Sequence, residues 1–448
     1  MRKRTGKSPL NIVSDVYRSM DRKALVILLA LELGTLLMMI IYGRGAAFLP
    51  AAIALMLFTA IICIVTFYIK ADKYIIIFST ALVNTGLMAQ VMESSLSISV
   101  KKYLICTVVL CAALFVFRRF AFIFESPHVV RIMIFAQYAV CLATLAFGKL
   151  LGDKVQGGRI TIKDMTLLEI VKILYVFVAA AMLCSEKEDK ILFARTGLHA
   201  SSVYLLLHTA VLSVFFALCS EMGTLLVILL TYLIVSWIYG KDRKLINVLI
   251  LSFLVSFALF WLISERLVLS NPKLEMNVPG FVKKLILRFG HALHPERDIS
   301  GAGYQGTLGL CALALGGLAG IISERYRVSA GWFTLYGADN DFLFANLVET
   351  GGFLLGMLII LMFLGLLIAG THVAQNCSDR YLQGVAMAST VLIFTEALIH
   401  IGYNLAILPI TGIPLYFCSS GFTALATGMG LTGVLLAIST GKIRRRKK

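Results

Sequence analysis

The chain has 448 residues, of which 59% are hydrophobic and only 15% are charged, and its mean hydropathy is +0.90. A soluble globular protein of this length needs more polar surface than that, so the composition excludes this class. The formal net charge of +17 does not indicate nucleic-acid binding, because the basic residues crowd the two ends of the chain. We therefore expect a membrane protein without a nucleic-acid partner.

Both ends of the chain are strongly basic, with an arm over residues 1–23 and a tail over residues 441–448. Cytoplasmic segments of membrane proteins carry an excess of Lys and Arg, so we expect both termini in the cytoplasm, attracted to anionic lipid. The apolar run after the arm has full spanning length and lacks an Ala-x-Ala site. We therefore expect no cleavable signal peptide.

Apolar runs of roughly 20 residues recur along the chain, which predicts an all-α polytopic membrane protein. We expect about twelve transmembrane helices in a single membrane domain over residues 24–440. The candidate spans are 24–43, 47–69, 74–92, 102–117, 130–148, 166–184, 198–218, 223–239, 245–264, 343–369, 384–402 and 417–440. The connections on the side of the termini are, with one exception, rich in Lys or Arg, which supports the cytoplasmic assignment.

A long loop, Ser264–Asn340, is then extracytoplasmic, and it contains one more apolar stretch, Thr307–Ile322. If that stretch crossed the membrane, the basic tail would lie outside, against the charge rule. We expect a re-entrant segment, or one packed on the bundle, since irregular backbone at membrane depth needs partners from protein or water. Long ordered loops are usually functional, and we expect residues 265–341 to form an extracytoplasmic catalytic loop.

Three acids lie where this loop meets the next apolar run. Asp339 and Asp341 are placed at the membrane–water boundary, and Glu349 lies about two turns into a helix that begins near Phe342. Ionisable groups in lipid are costly and usually functional. The alternative for Asp341 is a helix cap at the membrane entrance.

Two further groups of charged residues attract attention. Glu169 and Lys172 are three residues apart on one helix face, which suits a ligand site or, equally well, a structural ion pair. Arginines on the outer side have forked donors that suit phosphate oxygens, although a solvated basic loop is the plainer interpretation. These arginines are Arg288, Arg297, Arg325 and Arg327.

Two turns complete the set of unusual segments. Glu221 lies in a sharp external turn before a span, where an acid is ordinary helix capping. Residues 400–421 contain two prolines and several glycines between apolar runs, which predicts a broken hairpin at the outer membrane face. Such breaks line cavities in membrane proteins.

Five motifs occur in order: GGR with LLEIVK at 157–172, SEMGT at 220–224, GYQ at 303–305 with GGLAG at 316–320, DNDFLFANLVETGG at 339–352, and HIGYNLAILPITGIPLYFCSSG at 400–421. Together they resemble the signatures of the SEDS family, whose members are named RodA, FtsW and SpoVE. Those signatures are GxRxW with PSExxK, PDxGT, YQ with GGxxG, LPExxTDFIFxxxxEExG and NxGxxxGLLPxTGIPLPFISYGG. Five motifs in the right order are far more specific than one.

The chain departs from these signatures at several positions. The family's Asp of PDxGT is Glu221, its Pro-Glu is Tyr336-Gly337, its Thr before the Asp is Asn340, its Asn of NxG is His400, and its Pro and Tyr in the last motif are Tyr416 and Ser420. The family usually has about ten spans. The resemblance therefore implies a SEDS-like core over about 130–440, with about two extra spans near the N-terminus.

The resemblance implies a peptidoglycan glycosyltransferase of the bacterial cytoplasmic membrane, acting in cell shape, division or sporulation. Such enzymes polymerise lipid II, a disaccharide-pentapeptide on undecaprenyl pyrophosphate, at the outer face, with a class B penicillin-binding protein as partner. Asp341 matches the family's catalytic Asp and would take the proton of the attacking sugar hydroxyl. A lipid-linked oligosaccharide flippase or other transporter, and a non-catalytic scaffold for a penicillin-binding protein, are the alternatives.

The resemblance also implies the residues that contact substrate. The leaving pyrophosphate needs cations, from Arg159, Lys172 and Arg288 or from a divalent ion such as Mg or Mn. Glu349 is expected to orient its helix or a neighbouring cation, Asp339 to be a spare carboxylate or a metal contact, and His400 to be a packing residue. The full set of expected substrate-binding residues is Arg159, Glu169, Lys172, Arg288, Tyr304, Gln305, Glu349, Thr411 and Ser419.

Overall fold

A computed structural model describes residues 22–42, 48–92, 96–150, 161–162, 165–184, 189–193, 197–219, 221–270, 280–292, 294–299, 301, 303–321, 335–441 and 443. In this described part the chain folds into fourteen α-helices and two short antiparallel hairpins. The helices are α1 Arg22–Tyr42, α2 Phe48–Ile69, α3 Lys73–Met92, α4 Leu96–Phe124, α5 Pro127–Leu150, α6 Leu168–Cys184, α7 Ala200–Leu218, α8 Met222–Tyr239, α9 Arg243–Ser270, α10 Gly280–Gly290, α11 Tyr304–Gly316, α12 Leu343–Asn376, α13 Arg380–Asn404 and α14 Phe422–Ser439. The hairpins are β1 Thr161–Ile162 with β2 Met165–Thr166, and β3 Ile191–Phe193 with β4 Leu198–His199, and a 3-10 turn covers Pro295–Asp298.

Each of the twelve predicted spans coincides with one of the long helices, α1 to α9 and α12 to α14. Among the described residues, eight helices are long and apolar enough to cross a membrane. The protein is therefore an all-α polytopic membrane protein, as the sequence predicted. The number of crossings stays a prediction. Helix α14 begins at Phe422 rather than near residue 417, because the segment before it is not helical.

Helix α13 lies at the centre of the bundle, where it packs against α6, α8, α12 and α14. Small residues allow the close approaches on which this packing depends. A methyl group at Gly370 of α12 would lie 2.1 Å from the Thr390 hydroxyl of α13, and one at Gly433 of α14 would lie 2.4 Å from the Leu110 carbonyl of α4. At the periphery, α9 buries few residues and exposes leucine and valine along its length, as expected for a lipid-facing helix.

Two connections that the sequence assigned to the cytoplasmic side lie against each other. Lys241 forms an ion pair of 3.2 Å with Asp189, which also accepts the Ser201 hydroxyl at 2.5 Å. His199 contacts Asp242 at 2.9 Å. Burial raises the pKa of the Asp189 carboxyl, but the hydrogen bonds from Ser201 and the Lys241 ammonium outweigh burial and lower that pKa. These polar contacts join the α6–α7 and α8–α9 connections.

Helix α12 is broken at Gly352, and the segment after α11 fills the break. Gly352 has φ 73° and ψ −176°, and the two N–H groups after it, Phe353 and Leu354, donate to Gly317 (2.9 Å) and Leu318 (3.3 Å). Side chains are excluded here, since a methyl group at Gly320 would lie 1.8 Å from the Thr350 carbonyl oxygen. Two glycine-containing motifs of the sequence, at 316–320 and 349–352, thus satisfy each other's backbone groups.

Helix α11 has 13 residues, which at 1.5 Å each gives roughly 20 Å, too short for the hydrocarbon core of a bilayer. The side chain of Gln305, at the start of α11, accepts the N–H of Tyr336 at 2.9 Å. The chain is therefore back beside the start of α11 when it reaches residue 336.

Candidate functional site

Asp341 lies in a tight turn, 336–342, immediately before α12. The carbonyl of Gly337 accepts the N–H groups of Asn340 (3.0 Å) and Phe342 (2.7 Å), and Gly337 has φ 73°, a conformation that favours glycine. The helix begins at Leu343, as predicted. The half-buried Asp341 is thus held at the positive end of the α12 dipole, where a negative charge is stabilised.

Side chains of helix α13 hold the turn by its main chain. The Tyr403 hydroxyl and the Asn404 amide both donate to the main-chain carbonyl of Asp341, at 2.5 Å and 3.1 Å. The Asn404 side-chain oxygen accepts the N–H of Ala345 at 3.1 Å, so it caps α12 from a neighbouring helix. Nδ1 of His400 contacts the Ile413 carbonyl at 2.7 Å, and its role as a packing residue stays a prediction.

The segment before α14 borders the turn on another side. Ser420 donates its N–H to the carbonyl of Asp339 at 3.0 Å and its hydroxyl to the Asp339 carboxylate at 2.7 Å. Ser419 donates to the carbonyl of Asn340 at 3.3 Å. Lys102, near the start of α4, donates to the Ser420 carbonyl at 3.3 Å. Lys102 brings a cation to the site, and sequence reasoning missed it because it stands at the end of an apolar span.

Helix α11 packs against the turn through a small apolar cluster that includes Leu308, Ala312 and Phe342, with Tyr304 at its edge. Two buried polar atoms at the turn, Nε2 of Gln305 and Oδ1 of Asn340, have no hydrogen-bond partner among the described residues. The hydroxyl of Thr411, which lies beside Gly223 of α8, is another such atom. Atoms of this kind need a partner, so they are available to a polar ligand.

A second polar cluster lies inside the bundle. The Lys172 ammonium is 2.6 Å from Glu169 and 2.8 Å from Glu396, and the Tyr416 hydroxyl donates to Glu169 at 2.8 Å. Lys172 and Glu396 are fully buried, as is Tyr416. The Glu169–Lys172 pair was predicted. Glu396 was missed, although a single acid in the apolar run 384–402 was a signal that could have revealed it.

The remaining predicted residues are dispersed. Glu349 is fully buried on α12, below the turn. Arg288 lies in the last turn of α10, a helix that packs on α9 through Val268 and Ile286. Arg159 lies outside the described residues. Within the described ranges no group of three or more His, Cys, Asp or Glu side chains is arranged to hold a metal ion.

The profile of the FtsW/RodA/SpoVE family, described as cell cycle proteins, matches residues 73–443. The chain belongs to this family. The resemblance to RodA, FtsW and SpoVE is thereby confirmed. The match begins at the first residue of α3, so α1 and α2 lie outside it.

Curated relatives in the family match over part of their length. Stage V sporulation protein E of Bacillus subtilis is 36% identical over 154 residues, which are 34% of this chain and 42% of that protein. The peptidoglycan glycosyltransferase MrdB of Escherichia coli K12 is 26% identical over 231 residues, 49% of this chain and 55% of that protein. The chain thus spans about half the length, or less, of these relatives.

Solved structures of the family share the fold. One chain of a peptidoglycan synthase complex, described under the structural coordination of polymerization and crosslinking, superposes with a TM-score of 0.57 at 18% identity. The superposition covers 82% of this chain and 97% of that chain. The rod shape determining protein RodA of Thermus thermophilus gives a TM-score of 0.50 at 15% identity, with 84% and 98% coverage.

Several departures from the FtsW/RodA/SpoVE signatures contact functional candidates of this chain. Tyr416, in place of Pro, binds Glu169. Ser420, in place of Tyr, binds Asp339. Asn340, in place of Thr, donates to the Asp341 carboxylate at 3.2 Å. The altered positions are therefore concentrated around the acids of the two polar clusters.

Proposed function

We propose that this member of the FtsW/RodA/SpoVE family is a peptidoglycan glycosyltransferase that polymerises lipid II at the outer face of the bacterial cytoplasmic membrane. The observation that carries the proposal is the placement of Asp341. Its main-chain carbonyl is held by Tyr403 and Asn404, and its carboxylate lies at the N-terminal end of an apolar helix, α12. The names of the relatives, among them the glycosyltransferase MrdB, support the same activity.

Asp341 is the proposed general base. A sugar hydroxyl attacks the anomeric carbon of a second lipid-linked sugar, and the C–O bond to the pyrophosphate breaks. The hydroxyl is a poor nucleophile until a carboxylate takes its proton. A base fixed at the boundary meets a substrate whose lipid lies in the membrane and whose sugar lies outside.

Lys102 is the proposed partner of the leaving pyrophosphate, since it lies beside the segment that contacts the turn. Cations aimed at the developing negative charge stabilise the transition state. Arg159, Arg288 and Lys172 remain proposed phosphate ligands from the sequence, although Lys172 is fully buried in its cluster. Asp339 remains, from the sequence, either a spare carboxylate or a contact of a divalent cation such as Mg or Mn.

The substrate groove is proposed to follow the polar atoms around the turn. Gln305 and Thr411 have buried polar atoms that lack partners in the described part of the chain. Tyr304 and Ser419 border the same turn. Glu349 and Glu169, both buried in the bundle, remain proposed substrate contacts from the sequence. Sugar hydroxyls and acetamide groups suit such donors and acceptors.

We propose that the segment around α11 is re-entrant, which its length and the Gln305–Tyr336 contact support. Both termini would then be cytoplasmic and about twelve helices, within residues 24–440, would cross the membrane. The catalytic loop would be 265–341, and α1 and α2 would be additions to a SEDS-like core. Single cysteines in the basic tail would test this topology, and their labelling from outside the cell would contradict it.

A class B penicillin-binding transpeptidase is the proposed protein partner, since a glycan strand is useful to the wall only when it is crosslinked. A related chain has been solved within a peptidoglycan synthase complex, which supports this choice.

The test is polymerisation of lipid II by purified full-length protein, alone and with a class B transpeptidase. Polymer made by wild type and lost in Asp341→Asn would support the enzyme, and Asp339→Asn serves as a matched control two residues away. Polymer that survives Asp341→Asn would exclude this base. Lipid movement without polymer would favour a flippase, and binding of the transpeptidase without either activity would favour a scaffold.

A further inference from the structure

The main chain of Asn340 is held beside Asp341. Its N–H donates to Gly337 at 3.0 Å and its carbonyl accepts the Ser419 hydroxyl at 3.3 Å. Oδ1 of its amide lies near Gly421, where a Cβ would be in ordinary van der Waals contact at 3.4 Å. The two main-chain bonds fix the point from which the side chain reaches Asp341.

From this point the Asn340 amide donates to Oδ1 of Asp341 at 3.2 Å. The orientation of the amide is set by chemistry, because an ionised carboxylate only accepts hydrogen bonds and the Nδ2 group must therefore face it. A hydrogen bond to a charged acceptor is stronger than a neutral one and restricts rotation of the carboxylate plane.

Other charged groups lie around the same turn. Asp339 accepts the Ser420 hydroxyl, and Lys102 donates to the Ser420 carbonyl, so both are engaged with the segment before α14. Asn340 is a neutral donor among them, which can hold a carboxylate without neutralising its charge.

We propose that Asn340 is a positioning residue that orients the Asp341 carboxylate for proton abstraction. This inference rests on the proposed function. A general base works only when its accepting oxygen is within hydrogen-bond reach of the proton, and small misplacements cost large factors in rate. The family signature has Thr at this position, whose hydroxyl is also a donor but sits on a shorter side chain. Asn340 thus supplies a hydrogen-bond donor from its amide, where Thr would supply one from a hydroxyl on a shorter side chain.

The test compares three substitutions at one position in the full-length protein. Asn340→Asp has nearly the same shape but replaces the donor with an acceptor and a charge. We expect its kcat for lipid II polymerisation to fall about 10²-fold, with KM changed by less than about threefold. We expect the acidic limb of its pH–rate profile to move to higher pH, because the ionised base has lost a donor and gained a like charge.

The conservative substitutions complete the series. Asn340→Thr keeps a donor, and we expect kcat within about tenfold of wild type with the pH–rate profile nearly unchanged. Asn340→Val, which matches Thr in shape but lacks the hydroxyl, should behave like Asn340→Asp in kcat. If Asn340→Asp does not fold, the Thr and Val pair still decides the question.

Two results would overturn the inference. If Asn340→Val and Asn340→Thr have equal kcat, a donor at this position is not needed. If Asn340→Asp keeps the kcat and pH–rate profile of wild type, Asn340 does not orient the base. Failure of the proposed function looks different, since wild type would then make no polymer or Asp341→Asn would remain active, and the inference would fall with it.

Discussion

Two groups of carboxylates in this protein are held in opposite ways. Glu169 and Glu396 lie in the middle of the bundle, and their side chains are joined to Lys172 and Tyr416. Asp339 and Asp341 lie in a turn at the end of a helix, and main-chain carbonyls carry much of their attachment. The carboxylates of the turn also accept hydrogen bonds from Ser420 and Asn340, but the main chain of the turn keeps its own bonds when a side chain is changed. Removal of a charge should therefore cost more stability in the bundle than at the turn.

The largest effect is expected at the turn. Asp341→Ala should abolish measurable polymerisation, a loss in rate of about 10²- to 10⁴-fold, because the proposed base is removed. The folded protein should persist, since the Tyr403 and Asn404 bonds go to the main-chain carbonyl, which the substitution keeps. Polymerisation assays and thermal unfolding in detergent check the two halves. Loss of folded protein would show that the carboxylate has a structural role.

The next largest effect is expected in the polar cluster inside the bundle. Lys172→Met removes the cation between two buried carboxylates, which should destabilise the protein by about 3–5 kcal/mol. Thermal unfolding in detergent measures the change. The control is the triple variant Lys172→Met, Glu169→Gln, Glu396→Gln, which removes all three charges and should recover much of the stability. Equal stability of wild type and Lys172→Met would contradict a packing role for this cluster.

A smaller effect on stability is expected at Tyr416, in the same cluster. Tyr416→Phe keeps the ring beside Lys172 but removes the hydroxyl that donates to Glu169. We expect a loss of about 1–3 kcal/mol in unfolding free energy, since a buried charged acceptor loses one donor. Polymerisation at a temperature well below unfolding should be little changed. A large loss of activity in a stable Tyr416→Phe protein would contradict a purely structural role and would indicate that the bundle cluster also takes part in polymerisation.

The smallest effect is expected at Asp339. Asp339→Asn keeps an oxygen that accepts the Ser420 hydroxyl, so the turn should stay in place and the rate should remain within about threefold. Titration with Mg²⁺ and Mn²⁺ gives the sharper measurement. A higher metal requirement in Asp339→Asn than in wild type would assign this carboxylate to a cation, and identical titrations would leave it as a structural acceptor.

Much of the fold could be predicted because hydropathy is a local property. Every predicted span coincides with a helix, and α12 begins two residues after Asp341. The re-entrant segment, which the sequence indicated through the position of the basic tail, stays a prediction. Helix ends were less predictable, as at Phe422, where the non-helical residues 417–421 replace the first turn of the expected helix.

Candidate site residues could be predicted from the sequence only where the burial of a charged side chain is costly and therefore rare. Asp341 and the Glu169–Lys172 pair stand out because charges are rare in apolar sequence. Asn404 and Tyr403 do not, since their roles depend on α12 and α13 meeting, and their partners are about sixty positions away in the chain. Glu32 is similar: it is buried in α1 and binds Asn84 of α3 and the Thr59 hydroxyl of α2, contacts that only the packed helices reveal.

The break at Gly352 has a mechanical consequence. The part of α12 before Gly352 accepts the N–H of Ile321 at its Glu349 carbonyl, and the part after Gly352 donates from Phe353 and Leu354 to the carbonyls of residues 317 and 318. The segment 317–321 therefore bridges the break and joins both parts of α12. We expect a tilt of one part to be passed to the other through this segment, so that movement of either part reaches Asp341.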